Sequence, residues 1–139
     1  MFNIFCLYFF QLKLQNLKSL HINDIRLEPN PGTQLLNYFK PIYKSKTILY
    51  LDINDTQIFC EIGTYFIHIP NLRYISVPEL WSSSMYERLA EEVYSVLQTK
   101  QNLLTIDFYT RDGRRVFINH MRLLSNQMPK NLRTKYSIY

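Results

Sequence analysis

Thr47 to Ile58 reads T-I-L-Y-L-D-I-N-D-T-Q-I, and it decides the fold. Apolar residues fall at Ile48, Leu51, Ile53 and Ile58, with Thr56 between the last two. In the strand it implies, the apolar residues point into a core and the intervening ones point out. The same spacing recurs at Leu17, Leu20, Ile22 and Leu27, with Ile25 standing where Thr56 stands. Leu72, Ile75, Val77 and Leu80 form a partial copy, and Leu103, Ile106 and Phe108 form another. Three of the four copies open with Asn before the first apolar residue: Asn16, Asn71 and Asn102. The steps between copies are 48 − 17 = 31, 72 − 48 = 24 and 103 − 72 = 31 residues. A repeat at such a period predicts units that stack and bury a shared face.

The spacing L-x-x-L-x-L-x-x-N-x-L, with Thr56 in the Asn position, resembles the strand segment of a leucine-rich repeat. The resemblance spans Leu17 to Phe108 and is fullest in the first two units. Its uneven period, with helices between strands, is similar to the intracellular type found in substrate receptors of cullin ubiquitin ligases, such as F-box proteins. The resemblance implies an α/β fold, a short leucine-rich-repeat solenoid with parallel strands on the concave face and helices on the convex face. It implies a non-catalytic protein-interaction module that holds a protein or peptide on the concave face. Substrate recognition for ubiquitination, with a cullin-ligase adaptor as a further partner, is the implied role. No F-box or cullin-box segment stands in these 139 residues, so the likeness is to the repeat part alone.

The segments between strands read mostly as helix. Ser84 and Glu87 have capping-box spacing, and Met85, Leu89, Val93, Val96 and Leu97 share a face, so a helix is predicted over about 84–99. Thr33 can cap a helix through Leu35, Leu36 and Phe39 that Pro41 ends or kinks near Lys40. Phe59 to Ile69 reads either as a helical stripe or as an irregular buried segment, stopped by Pro70. Thr105–Thr110 and Arg115–Asn119 flank Asp112-Gly113, which predicts a terminal hairpin. A helix over His120–Met128 and a loose tail from Asn131 complete the reading. The whole, residues 1–139, is one domain, with a partial unit over 1–16 and a basic end over 111–139.

Composition narrows the function classes. Hydrophobic content of 47% with 19% charged residues argues against disorder, and three Gly are too few for a glycine-built phosphate loop. Cys6 and Cys60 have no metal-ligand spacing, and two thiols in a reducing compartment point to cytoplasm or nucleus. Met1–Phe10 is too short to span a bilayer and reads as core helix, which leaves a membrane partner unsupported. From Arg111 onward seven basic residues meet one acidic residue, 7 − 1 = +6, so the net charge of +5 belongs to that end. Arg111, Arg114 and Arg115 around the predicted hairpin supply the alternative function, association with nucleic acid.

The outward row of the strands supplies the candidate partner-binding residues: His21, Tyr50, Asp52, Asn54, Tyr74, Ser76, Asp107 and Tyr109. Ser19, Asn23, Pro78 and Thr105 complete that row. Tyr offers large contact area with a polar tip, and two carboxylates on one face favour a basic partner. The competing reading is a solvated face with Tyr chosen for strand propensity. No catalytic, cofactor-binding or metal-ligating set emerges, and no small-molecule substrate is implied. His21, His68 and His120 are scattered, Asp52 and Asp55 lack a Gly-containing loop, and Ser82–Ser84 serve helix initiation.

Overall fold

The computed structural model describes residues 16–23 and 33–137. Strand and helix alternate: β1 (Ser19–Asn23), α1 (Thr33–Tyr43), β2 (Tyr50–Asn54), α2 (Thr56–Phe66), β3 (Tyr74–Val77), α3 (Ser83–Leu97), β4 (Leu104–Phe108), α4 (Arg111–Ser125) and β5 (Leu132–Tyr136). The apolar start, Cys6, Ile25 and Leu27 lie outside the described residues.

The five strands form one parallel sheet in the order of the sequence. Parallel neighbours need a crossover, and each helix supplies one. Leu20 pairs with Leu51, Leu51 with Ile75, and Ile75 with Ile106. Leu20 is 8% exposed and the other three are fully buried. The repeat spacing therefore becomes a lateral row of aliphatic side chains, each contributing about 1.5–3 kcal/mol on burial. Leu35 and Phe39 of α1, Phe66 of α2, Val93 of α3 and Phe117 of α4 close over this row in one core. The fourth unit departs from the spacing in one place. Leu104 takes the buried position, and Leu103 is 45% exposed.

Side-chain caps and burial place the helices. Asp55 has extended backbone (φ −148°, ψ 109°) and its carboxylate accepts the Ile58 amide at 2.9 Å, so α2 begins at Thr56. This makes Thr56–Phe66 a helix rather than an irregular segment. The helix α1 runs through Pro41 to Tyr43 instead of ending near Lys40. Ile42 is fully buried in that last turn, and its burial offsets the cost of about 3 kcal/mol that Pro imposes on a helix interior. The cap of α3 is Ser82, not Ser84. Ser84 lies inside the helix, with its hydroxyl 2.9 Å from that of Ser82, and no side chain completes the capping box.

The expected terminal hairpin does not form. Arg111–Ser125 is a helix, capped by Thr110, whose hydroxyl accepts the Gly113 amide at 3.0 Å. Asp112 in the first turn complements the helix dipole. Gly113 is not a turn residue. A Cβ there would meet the Tyr86 ring at 2.5 Å, so glycine permits α3 and α4 to approach. The helix ends at Asn126 in the left-handed region (φ 65°), before the predicted stop at Pro129. The expected loose tail is also corrected. Leu132–Tyr136 adds β5 beside β4, pairing Leu104 with Leu132 through to Phe108 with Tyr136.

Candidate functional site

Each strand shows its alternate residues on the face away from the helices. Two lateral rows result. One runs Ser19, Tyr50, Tyr74, Thr105 and Arg133. The next holds His21, Asp52, Ser76, Asp107 and Lys135. All but one of the eight candidate residues meet on this face in a common set of contacts. Asn54 lies exposed at the end of β2, in register with Asn23.

Asp52 is one hub. Its Oδ1 accepts the Ser76 hydroxyl at 2.5 Å and the Tyr109 hydroxyl at 3.1 Å, and its Oδ2 lies 3.0 Å from His21 Nδ1. Partial burial alone would raise the Asp52 pKa. Hydrogen bonds from Ser76, His21 and Tyr109, with the His21 charge, outweigh it and hold the carboxyl below its ordinary value. Ser76 is fully buried and also accepts the Ile53 amide at 2.8 Å. It stands where the β2–β3 ladder, only two register pairs long, gives out.

Asp107 is the second hub. Tyr74 donates to its Oδ2 at 2.7 Å, and Ser137 donates to its two oxygens at 2.9 and 3.0 Å. Lys135 Nζ stands 3.9 Å from Oδ2 and 5.6 Å from the centre of the Tyr74 ring. Burial pushes the Tyr74 phenol far above the ordinary tyrosine range, and the Asp107 carboxylate pushes it further, so it stays a donor. The Tyr74 ring stacks on Tyr50 with centroids 4.1 Å apart and planes 1° from parallel. His21 leans on the other side of Tyr50 at 5.5 Å.

This geometry changes what the face offers. Asp107 is 2% exposed, so it presents no charge to a basic partner. Asp52 is spent on three donors within the face. What remains accessible is tyrosine ring, the His21 imidazole, Asn54, and two cations, Arg133 and Lys135. Those cations, and Ser137, come from the segment expected to be a tail. The signal for them was Asn131-Leu132, which repeats the Asn-apolar opening of Asn71-Leu72. Asn71 Nδ2 donates to the Lys46 carbonyl at 2.7 Å, and Asn131 Nδ2 to the Lys100 carbonyl at 2.8 Å. Both thereby tie a strand start to the preceding unit.

Asp52, His21 and Ser76 are not wired for nucleophilic catalysis. A triad needs the imidazole between hydroxyl and carboxylate. Here the carboxylate sits between the other two, and the hydroxyl is buried. No group of His, Cys, Asp and Glu suited to a metal ion occurs among the described residues. Cys60 is a free thiol whose pKa burial pushes up, which keeps it protonated. No described helix is long and apolar enough to cross a membrane. No family model, curated protein or solved structure matches this chain.

Proposed function

We propose that the chain is a short solenoid of the leucine-rich-repeat kind, acting as a protein-interaction module through its tyrosine-bearing sheet face. The solenoid reading is supported by strands in sequence order and by the equivalence of Leu20, Leu51, Ile75 and Ile106 in register. Each unit then touches mainly its neighbours. Thr56, in the Asn position of the repeat, donates to the Glu79 carbonyl of the following unit at 2.8 Å.

The binding reading rests on one observation, the Tyr50–Tyr74 stack anchored by Asp107. Two partly exposed rings held parallel form a preorganised apolar surface, and preorganisation lowers the entropy cost of binding. With both carboxylates engaged, the accessible cations are Arg133 and Lys135, so the face suits a neutral or acidic peptide segment. The test is Tyr50→Ala, which removes ring area without touching either carboxylate. A partner isolated with the wild-type chain should bind the variant at least tenfold more weakly, as hot-spot aromatics do. Ser95→Ala, on α3, should bind as wild type. Unchanged affinity in a Tyr50→Ala, Tyr109→Ala double variant that still folds would exclude this face.

A further inference from the structure

The edge of the sheet where the strands begin carries a second pattern, independent of the tyrosine face. Lys18 precedes β1, Lys44 and Lys46 precede β2, Arg73 precedes β3, Lys100 precedes β4 and Lys130 precedes β5. The loops that hold them, residues 16–18, 44–49, 67–73, 98–103 and 126–131, contain no Asp or Glu. The opposite edge is mixed in charge, with Asp55, Glu79 and Asp112 beside Arg111 and Arg115. Helix dipoles favour cations near helix C-termini, but their effect fades beyond the last turn. Lys18, Lys46, Arg73 and Lys130 lie outside any helix, and none of the six makes an ion pair among the described residues. The Lys100 ammonium is pulled down first by burial and then by the charge of Arg73 beside it. Glu92 reaches this edge but is engaged by His68 at 2.8 Å, so no carboxylate meets the six cations; crowding like charges costs stability, and an external anion relieves it.

The sheet fixes the spacing of these cations. Backbone bonds join the Lys18 carbonyl to the Leu49 amide at 2.8 Å and the Arg73 carbonyl to the Thr105 amide at 2.9 Å. Adjacent strands lie about 4.8 Å apart, so five strand starts form a line roughly 19 Å long. Aromatic surface lies along the same edge. Tyr43 ends α1 and Tyr65 lies in the last turn of α2, with rings 5.6 Å apart, and Tyr65 is 44% exposed. Beside Lys100, His68, Pro70, Ser95 and Thr99 border an open depression of about 430 Å³. A single line of cations with accessible rings matches one phosphate backbone with unpaired bases. A membrane or a duplex would use a broader plane of charge.

We propose that this edge, from Lys18 to Lys130, is a track for single-stranded nucleic acid, holding phosphates on the cations and a base on Tyr65. The test is anisotropy of a labelled 15-nucleotide single-stranded RNA of mixed sequence titrated with the full chain. Binding is expected at 50 mM salt, weakening with a log–log salt slope of about −3.5 to −4, from five to six phosphates at about −0.7 each. Lys46→Gln, Arg73→Gln and Lys130→Gln together should remove about two from that slope. An equal charge change, Arg88→Gln, Arg115→Gln and Arg122→Gln, should leave the slope unchanged. Tyr65→Ala should weaken binding roughly tenfold. A thermal melt accompanies each variant, and if the triple loses its fold, Arg73→Gln alone decides, with an expected slope loss of about 0.7. No binding at 50 mM salt, or equal losses in both triple variants, would overturn the proposal. So would tighter binding to phosphatidylcholine vesicles containing phosphatidylserine than to the RNA, lost in the same triple, which would assign the edge to a membrane surface.

Discussion

On the helix side of the sheet Leu20, Leu51, Ile75 and Ile106 form one lateral row, while on the other side His21, Asp52, Ser76, Asp107 and Lys135 form another. The two rows share β1 to β4 and nearly the same positions along them, and the polar row continues onto β5. In the aliphatic row each member is held by volume and apolarity, so one member can replace another if its size fits. In the polar row each member is held by a particular donor or acceptor. Ser76 bridges Asp52 and the Ile53 amide, and Asp107 collects Tyr74 and Ser137. The aliphatic row supplies cohesion. The polar row sets the orientation of Tyr50 and Tyr74, on which the proposed binding surface depends.

The largest expected effect breaks the aliphatic row. Ile75→Ala should lower unfolding free energy by about 2–5 kcal/mol, whereas Ile75→Val should cost about 0.5–1.5 kcal/mol. Urea unfolding of the two variants measures that tolerance, and equal losses would contradict it. Breaking the polar row should cost less and should not be graded by volume. Asp107→Ala leaves the Tyr74 and Ser137 hydroxyls without their acceptor, at about 1–3 kcal/mol. The same change should loosen the Tyr50–Tyr74 stack, seen as altered near-ultraviolet dichroism. A variant with full stability and an unchanged tyrosine signal would show that Asp107 anchors nothing.

The smallest effect is a pH dependence. Asp52 has a folded pKa below its ordinary value of 3.8. The stability it contributes is therefore complete above that value and is lost as pH falls through the folded pKa. Below about pH 3.8 the wild type should lose more stability than Asp52→Asn. Parallel curves down to pH 2.5 would mean that the His21, Ser76 and Tyr109 bonds do not favour the charged form.

The aliphatic row was legible because its signal is periodic. Leu51 and Ile53 alternate, and the same spacing at Leu20 and Ile75 predicts lateral pairing from arithmetic alone. The outward residues could be named from the same alternation, but not their wiring. Whether Asp52 faces a partner or Ser76 depends on which residue stands opposite on the next strand, and that is set by three-dimensional register. The C-terminal end departs from its local sequence signal for a different reason. Asp112-Gly113 carries a strong local turn signal, yet the glycine answers a tertiary demand, room for the Tyr86 ring. A hairpin over 105–119 leaves Asn131-Leu132 no strand to join, and Lys135 and Ser137 then drop from the face.

The central claim is that the tyrosine face, and not the helix side, meets a protein partner. A photo-crosslinking amino acid in place of Tyr50 tests it most directly, with Ser95 on α3 as the matched position. A discrete cross-linked product with the partner is expected from position 50, competed by unlabelled wild-type chain, and none from position 95. A product from position 95 with none from position 50 would place the partner on the helices and contradict the claim.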